Sequence, residues 1–189
     1  MIATLETPRL LLRQWRDADL DPWAEMNADP RVMEFFPGVL DRAHAGQSAA
    51  RMRERLERDG YGLWAVEIKE TGAFAGSIGL NEMAEDIPVN PKREVGWRLA
   101  FDAWGHGYAT EGAQAALRCA FDELGWDEVI AVTAAVNERS QRVMRRLGMT
   151  RDRAADFEHP RVPEGSALRR HVLFRIRRDR AAGTVNTPA

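Results

Sequence analysis

The sequence predicts a single-domain α/β fold with a mixed sheet, and three observations carry this prediction. Strand-like and helix-like runs alternate unevenly along the chain, which favours a mixed sheet over a doubly wound parallel one. The length of 189 residues suits one domain, and 44% hydrophobic residues can supply its core. Residues 1–178 contain no repeat or linker, whereas residues 179–189 show no pattern and are expected to form a flexible tail.

The first half of the chain predicts an opening strand, two helices and a β-hairpin. The first helix is capped by Asp17 or Asp19 and places Leu20, Trp23 and Ala24 on one face. Alanine, methionine and leucine residues at helical spacing predict the second helix, and a Glu-Thr-Gly turn joins the hairpin strands. The predicted elements are a strand at 9–15, helices at 17–28 and 45–56, and hairpin strands at 63–69 and 73–80.

The second half predicts three more strands and two more helices. A loop with two prolines at 81–93 precedes a strand that we expect to be central. Small inward residues such as Ala113 and Ala116 would let the following helix lie close to the sheet, and Gly125 caps its end. The predicted elements are strands at 94–100, 128–136 and 168–177, helices at 108–124 and 137–147, and a long connection at 151–167.

Composition excludes several kinds of function. The net charge of −2 gives no electrostatic reason to bind nucleic acid or a membrane surface. No apolar run approaches the ~20 residues that span a bilayer and no signal-peptide core is present, so we expect a cytoplasmic protein. The single cysteine, Cys119, excludes an internal disulfide and is expected to be a small buried hydrophobe. The four histidines show no ligand spacing, so no metal is expected.

The glycine-rich turn at residues 104–112, WGHGYATEG, is the most informative feature of the chain. It follows a predicted strand and leads into a predicted helix. Its glycines let the backbone approach a ligand, and its N–H groups, together with those of the first helical turn, attract a phosphate. It is not a nucleotide P-loop, because no lysine follows Gly107. It is not a dinucleotide loop either, because Thr110 stands where the third glycine is needed.

Several motifs along residues 7–178 occur together in this chain. The turn supplies Trp104, Gly107 and Ala109, and a second junction supplies Asn137 and Ser140 in the pattern N-x-x-S. Together these motifs resemble the GNAT superfamily of N-acetyltransferases, in particular its branch of ribosomal-protein N-terminal (alanine/serine) acetyltransferases. The tryptophan replaces the Arg or Gln of the general superfamily pattern but fits this branch. Further matching segments are 7–13, 76–80 and the Leu-Gly-Met at 147–149.

The resemblance implies a mostly antiparallel, twisted sheet of about six to seven strands with about four helices, splayed where acetyl-CoA binds. Acetyl-CoA would lie between the strand ending at Leu99 and the strand ending at Val136, and its pantetheine arm would pair with backbone near Leu99. Asn137 would add a hydrogen bond to the cofactor, or would serve only as a helix cap. The pyrophosphate would bind the backbone of Trp104, Gly105, His106, Gly107, Tyr108, Ala109 and Thr110.

Ser140 is the candidate proton donor that the resemblance implies. Many superfamily members place a tyrosine seven residues after the asparagine to protonate the CoA thiolate, but Met144 stands there in this chain and cannot donate a proton. Ser140 is the matching hydroxyl in the related branch. The alternative is that its hydroxyl only bonds to the preceding helical turn.

Glu94 is the candidate base that accepts the amine proton, directly or through water. It begins the strand that leads to the glycine-rich turn, where superfamily members often carry a carboxylate. The alternative is a rim charge paired with Arg93 or Arg98. A backbone N–H near Leu99 could stabilise the oxyanion of the reacting thioester.

The amine acceptor stays open at this point. A protein N-terminus has a pKa of about 8 against about 10.4 for lysine, so one weak base suits an α-amine better. A polyamine, an antibiotic or another small amine is the alternative acceptor, and a non-catalytic acyl-CoA-binding regulatory module is the alternative function. The sequence does not fix the oligomeric state, and a homodimer is one option.

Loops would form the wall of the acceptor site, and residues on them could contact the acceptor. His44 and His106 have no assigned role, whereas His159 and His171 could line the acceptor pocket. Exposed arginines of the last short helix would be solvated or would contact the CoA 3′-phosphate. The wall candidates are Trp23, Phe35 and Phe36 for apolar surface, and Glu82, Glu85 and Asp86 for attracting a cation; the arginines are Arg139, Arg142, Arg145 and Arg146.

Overall fold

The computed structural model of the chain describes residues 4–181, in which strands and helices alternate unevenly. The strands are β1 (Leu5–Glu6), β2 (Leu10–Arg13), β3 (Leu63–Ile68), β4 (Phe74–Glu82), β5 (Arg93–Leu99), β6 (Glu128–Ala134), β7 (Thr150–Arg151), β8 (Phe157–Glu158) and β9 (Arg170–Arg177). The helices are α1 (Leu20–Ala28), α2 (Arg42–Asp59), α3 (Tyr108–Arg118), α4 (Glu138–Arg146) and the single turn α5 (Arg178–Ala181).

The strands form one mixed, mostly antiparallel sheet in the order β1-β2-β3-β4-β5-β6-β9-β7, with β8 beside β9. The pair β5–β6 is parallel, and the pairs β1–β2, β2–β3, β3–β4, β6–β9, β7–β9 and β8–β9 are antiparallel. This confirms the predicted fold class. The nine strands exceed the predicted six to seven, because β1, β7 and β8 have two residues each, too few for an alternating pattern to show.

Contacts divide the chain into two compact units, the first of which comprises the described residues up to Leu80 together with Gly96–Ala116. Leu10 on β2 and Ile78 on β4 are fully buried in this unit. A Cβ added at Gly112 would lie 2.5 Å from Ile78 Cδ1, so a side chain at this position of α3 would require the Ile78 side chain to shift. The helix α3 therefore lies close to β4 at Gly112.

The end of β5 lies equally close to β4 within the first unit. Gly76 has φ +129°, and a Cβ added there would lie 2.3 Å from the carbonyl oxygen of Arg98. The N–H of Ala100 donates a hydrogen bond of 2.9 Å to the carbonyl of Ala75 just beyond the strand. The backbone at the end of β5 is thus fixed by contacts that leave no room for a side chain on β4.

The second unit comprises Asn81–Val95 and the described residues from Leu117 onward. The start of β5 pairs in parallel with β6, with Glu94 opposite Ile130. The predicted loop at 81–93 begins as the last two residues of β4 and then packs its apolar side chains on the sheet. The cluster that it completes consists of Ile87, Val89, Ile130, Phe157 and Leu173.

Some element boundaries differ from the prediction. A 3₁₀ turn at Asp17–Asp19 precedes α1, and Leu20, the first residue of the helix, is 37% exposed, whereas Trp23 and Ala24 are buried. The predicted helix at 108–124 ends as an α-helix at Arg118 and continues as a π-helical turn over Cys119–Glu123. Cys119 is buried, as predicted, and burial raises the pKa of its thiol to about 11.

The predicted tail lies mostly outside the described residues. Its first residues belong to α5, and residues 182–189 are not described. Among residues 4–181, no helix combines the length and the apolar character that crossing a bilayer requires. The assignment of residues 1–178 to one domain stays a prediction.

Candidate functional site

The glycine-rich turn forms the approach to α3 in the first unit. Gly105 has φ +82° and Gly107 has φ +81°, conformations that side-chain-bearing residues rarely adopt. The turn is exposed from Gly105 to Gly107, and α3 begins at Tyr108. The first N–H groups of a helix have no intrahelical partner, so this end of α3 presents donors toward solvent. The turn therefore has the geometry and exposure that an anionic ligand needs.

Two residues near the N-terminus brace this turn. Arg9 Nη1 donates to the carbonyl of His106 (2.8 Å), and its Nε donates to Glu111 on α3 (2.6 Å). The Thr7 hydroxyl donates to the same carboxylate at 2.6 Å, and the Arg9 guanidinium lies 4.9 Å from the centre of the Tyr108 ring. Partial burial of Glu111 would raise its pKa, but these hydrogen bonds prevail and lower it. The brace ties the first turn of α3 to β2.

Trp104 and Leu99 are joined at the other end of the turn. The indole Nε1–H of Trp104 donates to the carbonyl of Leu99 at 2.9 Å, and its ring packs against Phe101 with centroids 5.0 Å apart. Leu99 is 6% exposed. The tryptophan that departs from the general superfamily pattern thus fixes the chain between the end of β5 and the glycines. The roles predicted for the backbone of Leu99 stay predictions.

Asn137 and Ser140 belong to one hydrogen-bonded group at the start of α4, in the second unit. The backbone N–H of Ser140 donates to Asn137 Oδ1 (3.1 Å), which makes Asn137 the N-cap. The Asn137 amide nitrogen donates to Thr133 Oγ1 (3.0 Å) and to Ser140 Oγ (3.1 Å). Both amide hydrogens of Asn137 are therefore engaged within the protein, and its side chain orients the Ser140 hydroxyl.

The Ser140 hydroxyl keeps its own proton available. It accepts from Asn137, and among residues 4–181 it donates to no protein acceptor, so the predicted alternative of a bond to the preceding turn is not what the structure shows. Ser140 is half-buried, whereas Met144 one turn later is 1% exposed and belongs to the core. An oriented, partly accessible hydroxyl that already accepts one hydrogen bond can act as a donor to a developing anion.

Glu94 has a strongly perturbed environment. Burial of its carboxyl raises the pKa from 4.5 to about 7, and hydrogen bonds from the Asn81 side chain and the Val132 backbone lower it by less. The residue as a whole keeps some accessible surface. Neither Arg93, whose guanidinium lies 5.1 Å from the Trp126 ring centre, nor Arg98 shifts the pKa of Glu94. A carboxyl with this pKa can exist as acid or base at neutral pH.

Histidine and carboxylate side chains also meet on the sheet face of the second unit. The rings of His159 and His171 have centroids 4.7 Å apart, and Phe157 lies against both. Burial is the main cause that lowers the pKa of each imidazole, so both are neutral near pH 7. Asp86 forms a bidentate pair with Arg161 (2.7 and 2.9 Å), so this carboxylate already has a cationic partner. The acceptor roles predicted for these residues stay predictions.

The other predicted acceptor and cofactor residues are placed as follows. Trp23 is 2% exposed and its indole donates to the carbonyl of Ala45 at 3.1 Å, so it offers no open apolar surface. Phe35 and Phe36 are half-buried, and Glu82 and Glu85 are exposed. His44 pairs with Asp41, the N-cap of α2, and the His106 ring stacks on Tyr108. The four arginines of α4 are all exposed: Arg139, Arg142, Arg145 and Arg146.

No group of three or more histidine, cysteine, aspartate or glutamate side chains placed to hold a metal ion occurs within residues 4–181.

Comparison with protein families decides the class to which these features belong. The family model described as "Acetyltransferase (GNAT) domain" matches residues 9–150, three quarters of the chain. The chain belongs to the GNAT acetyltransferase family. The match includes β5, the glycine-rich turn, α3 and the Asn137–Ser140 group. The family predicted from the motifs is thereby confirmed.

Individual GNAT relatives resemble the chain over most of its length. It is 33% identical to "Uncharacterized protein YkkB" of Bacillus subtilis over 148 residues, which cover 77% of this chain and 84% of YkkB. It is 33% identical over 160 residues to the FsC-acetyl coenzyme A-N(2)-transacetylase of Aspergillus fumigatus, covering 78% of this chain and 65% of that protein. RimL, a ribosomal L7/L12 alpha-N-protein acetyltransferase, has been solved in complex with coenzyme A and shares the fold of this chain with a TM-score of 0.75. The two sequences are 15% identical, and the match covers 94% of this chain and 99% of RimL.

Sequence reasoning missed several residues of this GNAT protein that the structure brings forward. Glu111 lies within the glycine-rich turn at residues 104–112, yet its pairing with Arg9 spans 102 positions and no local pattern predicts it. Asn81 was predicted only as part of a loop. Its contact with Glu94 depends on where β4 ends and β5 begins. Arg98 was considered only as a partner of Glu94, whereas the structure places it against α1. The one available signal was alternation along β5. Successive residues of a strand point to opposite faces, so Arg98 lies on the other face from its apolar neighbours Trp97 and Leu99.

Proposed function

We propose that this GNAT protein transfers an acetyl group from acetyl-CoA to a primary amine by direct attack. The observation that carries the proposal is the exposed turn at 104–110, whose two left-handed glycines lead into α3 in a chain of this family. The turn would hold the pyrophosphate through the backbone N–H groups of Trp104, Gly105, His106, Gly107, Tyr108, Ala109 and Thr110. The RimL structure contains coenzyme A on the same fold, which supports this cofactor.

The reaction needs one nucleophile, one base and one acid. The amine nitrogen forms a bond to the thioester carbonyl carbon, and the C–S bond then breaks, leaving the acetylated amine and the CoA thiolate. Glu94 accepts the proton that the amine loses, and Ser140 donates a proton to the thiolate sulfur and regains it from solvent. A backbone N–H near Leu99 stabilises the oxyanion of the intermediate. Asn137 acts as a positioning residue, because its amide orients the Ser140 hydroxyl.

The proposed acceptor is a protein N-terminus. Its low pKa leaves a useful fraction of neutral amine at pH 7, which suits a site with one moderate base better than a lysine would. The shared fold with RimL is compatible with this acceptor. A small-molecule amine is the second candidate, favoured by the 33% identity to the FsC-acetyl coenzyme A-N(2)-transacetylase. We also propose a cytoplasmic location, which rests on the composition of the chain.

Thermal unfolding with added ligands tests cofactor binding. A ligand at about 100 times its Kd stabilises the native state by about 2.7 kcal/mol, or roughly 5–10 °C in Tm for a chain of this size. Acetyl-CoA and CoA are expected to produce this rise, while ATP and NAD leave Tm unchanged. Stabilisation by ATP but not by CoA would overturn the assignment of the turn. A rise with acetyl-CoA and no transfer to any amine would indicate a non-catalytic acyl-CoA-binding module.

A further inference from the structure

Arg98 is half-buried, with its charged end packed against aromatic residues of the first unit. Its guanidinium lies 4.0 Å from the centre of the Phe36 ring and 5.5 Å from that of Trp23. One of its N–H groups, at Nη1, donates to Asn27 Oδ1, and the Asn27 amide nitrogen in turn donates to the carbonyl of Trp23 at 2.7 Å. Asn27 is fully buried. Within residues 4–181 the Arg98 guanidinium is thus held by packing against two rings and by one neutral amide.

No carboxylate of the described residues pairs with Arg98. Asp29, two residues after Asn27 in the sequence, is engaged by Arg31 at 2.6 Å, and the guanidinium of Arg31 lies over Phe101. Desolvation is the one cause that changes the pKa of Arg98, lowering it to about 10, so the group stays charged at neutral pH. Burying a charge without a counter-ion is costly, and proteins ordinarily provide one. The missing counter-charge is the feature that needs an explanation.

Open space adjoins Arg98 on the same strand face. Alternate residues of a strand point to one side, so Gly96 and Arg98 share a face of β5. A Cβ added at Gly96 would meet no atom within 4 Å, and its φ lies outside the left-handed region. The glycine is therefore not required by the backbone at this position. It leaves room that a ligand can occupy beside the guanidinium, two residues after the proposed base in the sequence.

We propose that Arg98 binds a carboxylate of the acceptor, which makes the preferred substrates amines that also carry a carboxylate. The inference rests on the proposed function and names the substrate class of that site. A planar guanidinium with a free edge matches a carboxylate in a two-point interaction. One arginine and one monoanion balance in charge, whereas a phosphate dianion would need a second cation. The room left by Gly96 holds the part of the acceptor between its carboxylate and its amine.

Two sources can supply a carboxylate near an amine, and the test separates them. The first is a free amino acid, compared with its carboxamide. The second is a peptide with an acidic side chain at its second or third position and an amidated C-terminus, compared with the same peptide carrying Asn or Gln there. Binding of each pair is measured by calorimetry on the full chain saturated with CoA, which makes the readout independent of turnover.

The expected result is tighter binding of the carboxylate member of at least one pair by about 10- to 100-fold, the usual worth of a charge-assisted pair. In Arg98→Met, which keeps the length of the side chain and removes the charge, this difference should fall to within about twofold. Arg31→Met is the matched control, because this exposed arginine of the same unit already has Asp29 as its partner, and the difference should persist. The pair that shows the difference identifies the source.

Three outcomes would overturn the proposal: no carboxylate probe binds, the amide binds as tightly in the parent protein, or the difference survives in Arg98→Met. Should Arg98→Met fail to fold, Gly96→Val replaces it, since open space surrounds this position; the valine must abolish binding of the carboxylate probes. Acetyl transfer is measured separately on the same probes. Carboxylate discrimination without any transfer would contradict the proposed function and leave the Arg98 site intact, so the two failures are distinguishable.

Discussion

Glu94 and Ser140 are both oriented by asparagine side chains rather than by charged groups. Asn81 donates to the Glu94 carboxyl, and Asn137 donates to the Ser140 hydroxyl. An amide fixes the position of its partner without adding charge, so the pKa of Glu94 is set mainly by burial and stays near neutrality. A lysine or arginine in place of Asn81 would stabilise the carboxylate and make it a much weaker base. The residues next to the proposed groups are thus as important as the groups themselves.

Glu94 predicts a specific pH dependence. The carboxylate form is the base, so kcat/KM calculated on the neutral fraction of the amine should rise with pH and level off above about pH 7, the pKa of Glu94 in the folded protein. Glu94→Gln should remove this rise and lower the plateau by ~10²–10⁴-fold. Because folding raises the pKa, ionisation disfavours the native state, so the contribution of Glu94 to stability is lost as pH rises from about 4.5 to about 7. Glu94→Gln should therefore flatten the stability profile over this range.

The control for this prediction is Glu57→Gln, on the exposed surface of α2. It should leave both profiles unchanged. A rise of kcat/KM through pH 7, calculated on the neutral amine, that persists in Glu94→Gln would assign the base to another group or to water.

Ser140 and Thr133 form a matched pair for testing the proton donor. Each hydroxyl accepts one hydrogen bond from the Asn137 amide, at 3.1 and 3.0 Å. Ser140→Ala should lower kcat by ~10²–10⁴-fold with little change in KM for acetyl-CoA, because the proton is needed mainly in the transition state. Thr133→Val removes the other bond and should change kcat by less than about tenfold. A kcat within about twofold of the parent in Ser140→Ala would exclude this hydroxyl, since that is well under 1 kcal/mol of barrier.

At the scale of elements, the turn before α3 combines local and distant determinants. Its glycines supply the left-handed backbone, which the sequence reveals directly. Its brace, in contrast, joins α3 to β2 through Arg9 and Glu111. The glycines alone would leave the turn free to adopt other shapes. The charged pair holds the N–H groups of the first helical turn in place before any ligand arrives, which lowers the entropic cost of binding.

Gly107→Ala should weaken CoA binding by about tenfold or more, because a side chain intrudes where the pyrophosphate approaches the backbone. The change also strains a residue at φ +81°, at a cost of about 1–2 kcal/mol. Gly72→Ala is the matched control: it has φ +69° and open space around it, in the turn between β3 and β4. Both variants should lose similar stability in chemical denaturation. Equal CoA affinity in both would remove the turn from the cofactor site.

Elements with strong local signals could be predicted from the sequence, and elements defined by pairing could not. Proline, glycine and hydrophobic spacing placed α1, α2, α3 and the long strands to within a few residues. The three two-residue strands are defined only by pairing with their partner strands, and two residues are too few for a sequence pattern to predict them. The sequence does not predict the π-helical turn after Arg118 either, because the residues of this turn have ordinary helical spacing. The contacts of Asn81 with Glu94 and of Arg98 with Asn27 were not predicted either, because each partner lies in another element of the chain.

At the scale of the whole molecule, the residues with proposed roles are distributed over both compact units. The glycine-rich turn, Leu99 and Arg98 belong to the first, and Glu94, Asn137 and Ser140 belong to the second. Membership of the GNAT family does not determine the acceptor, because the FsC-acetyl coenzyme A-N(2)-transacetylase and RimL, a ribosomal L7/L12 alpha-N-protein acetyltransferase, are named for different acceptors. In the inference above, Arg98 contributes to the choice of acceptor.

The most direct test of the central claim is amine-dependent release of CoA from acetyl-CoA, with the acetylated amine identified by mass spectrometry. The purified protein is screened against peptides with different first residues, acidic peptides and small amines, each with and without a carboxylate. We expect saturable CoA release that requires the amine, yields one acetylated product per CoA, and falls by ~10²–10⁴-fold in Ser140→Ala and Glu94→Gln. CoA release that proceeds at the same rate without any amine, or a protein that binds acetyl-CoA and acetylates none of the acceptors, would contradict it.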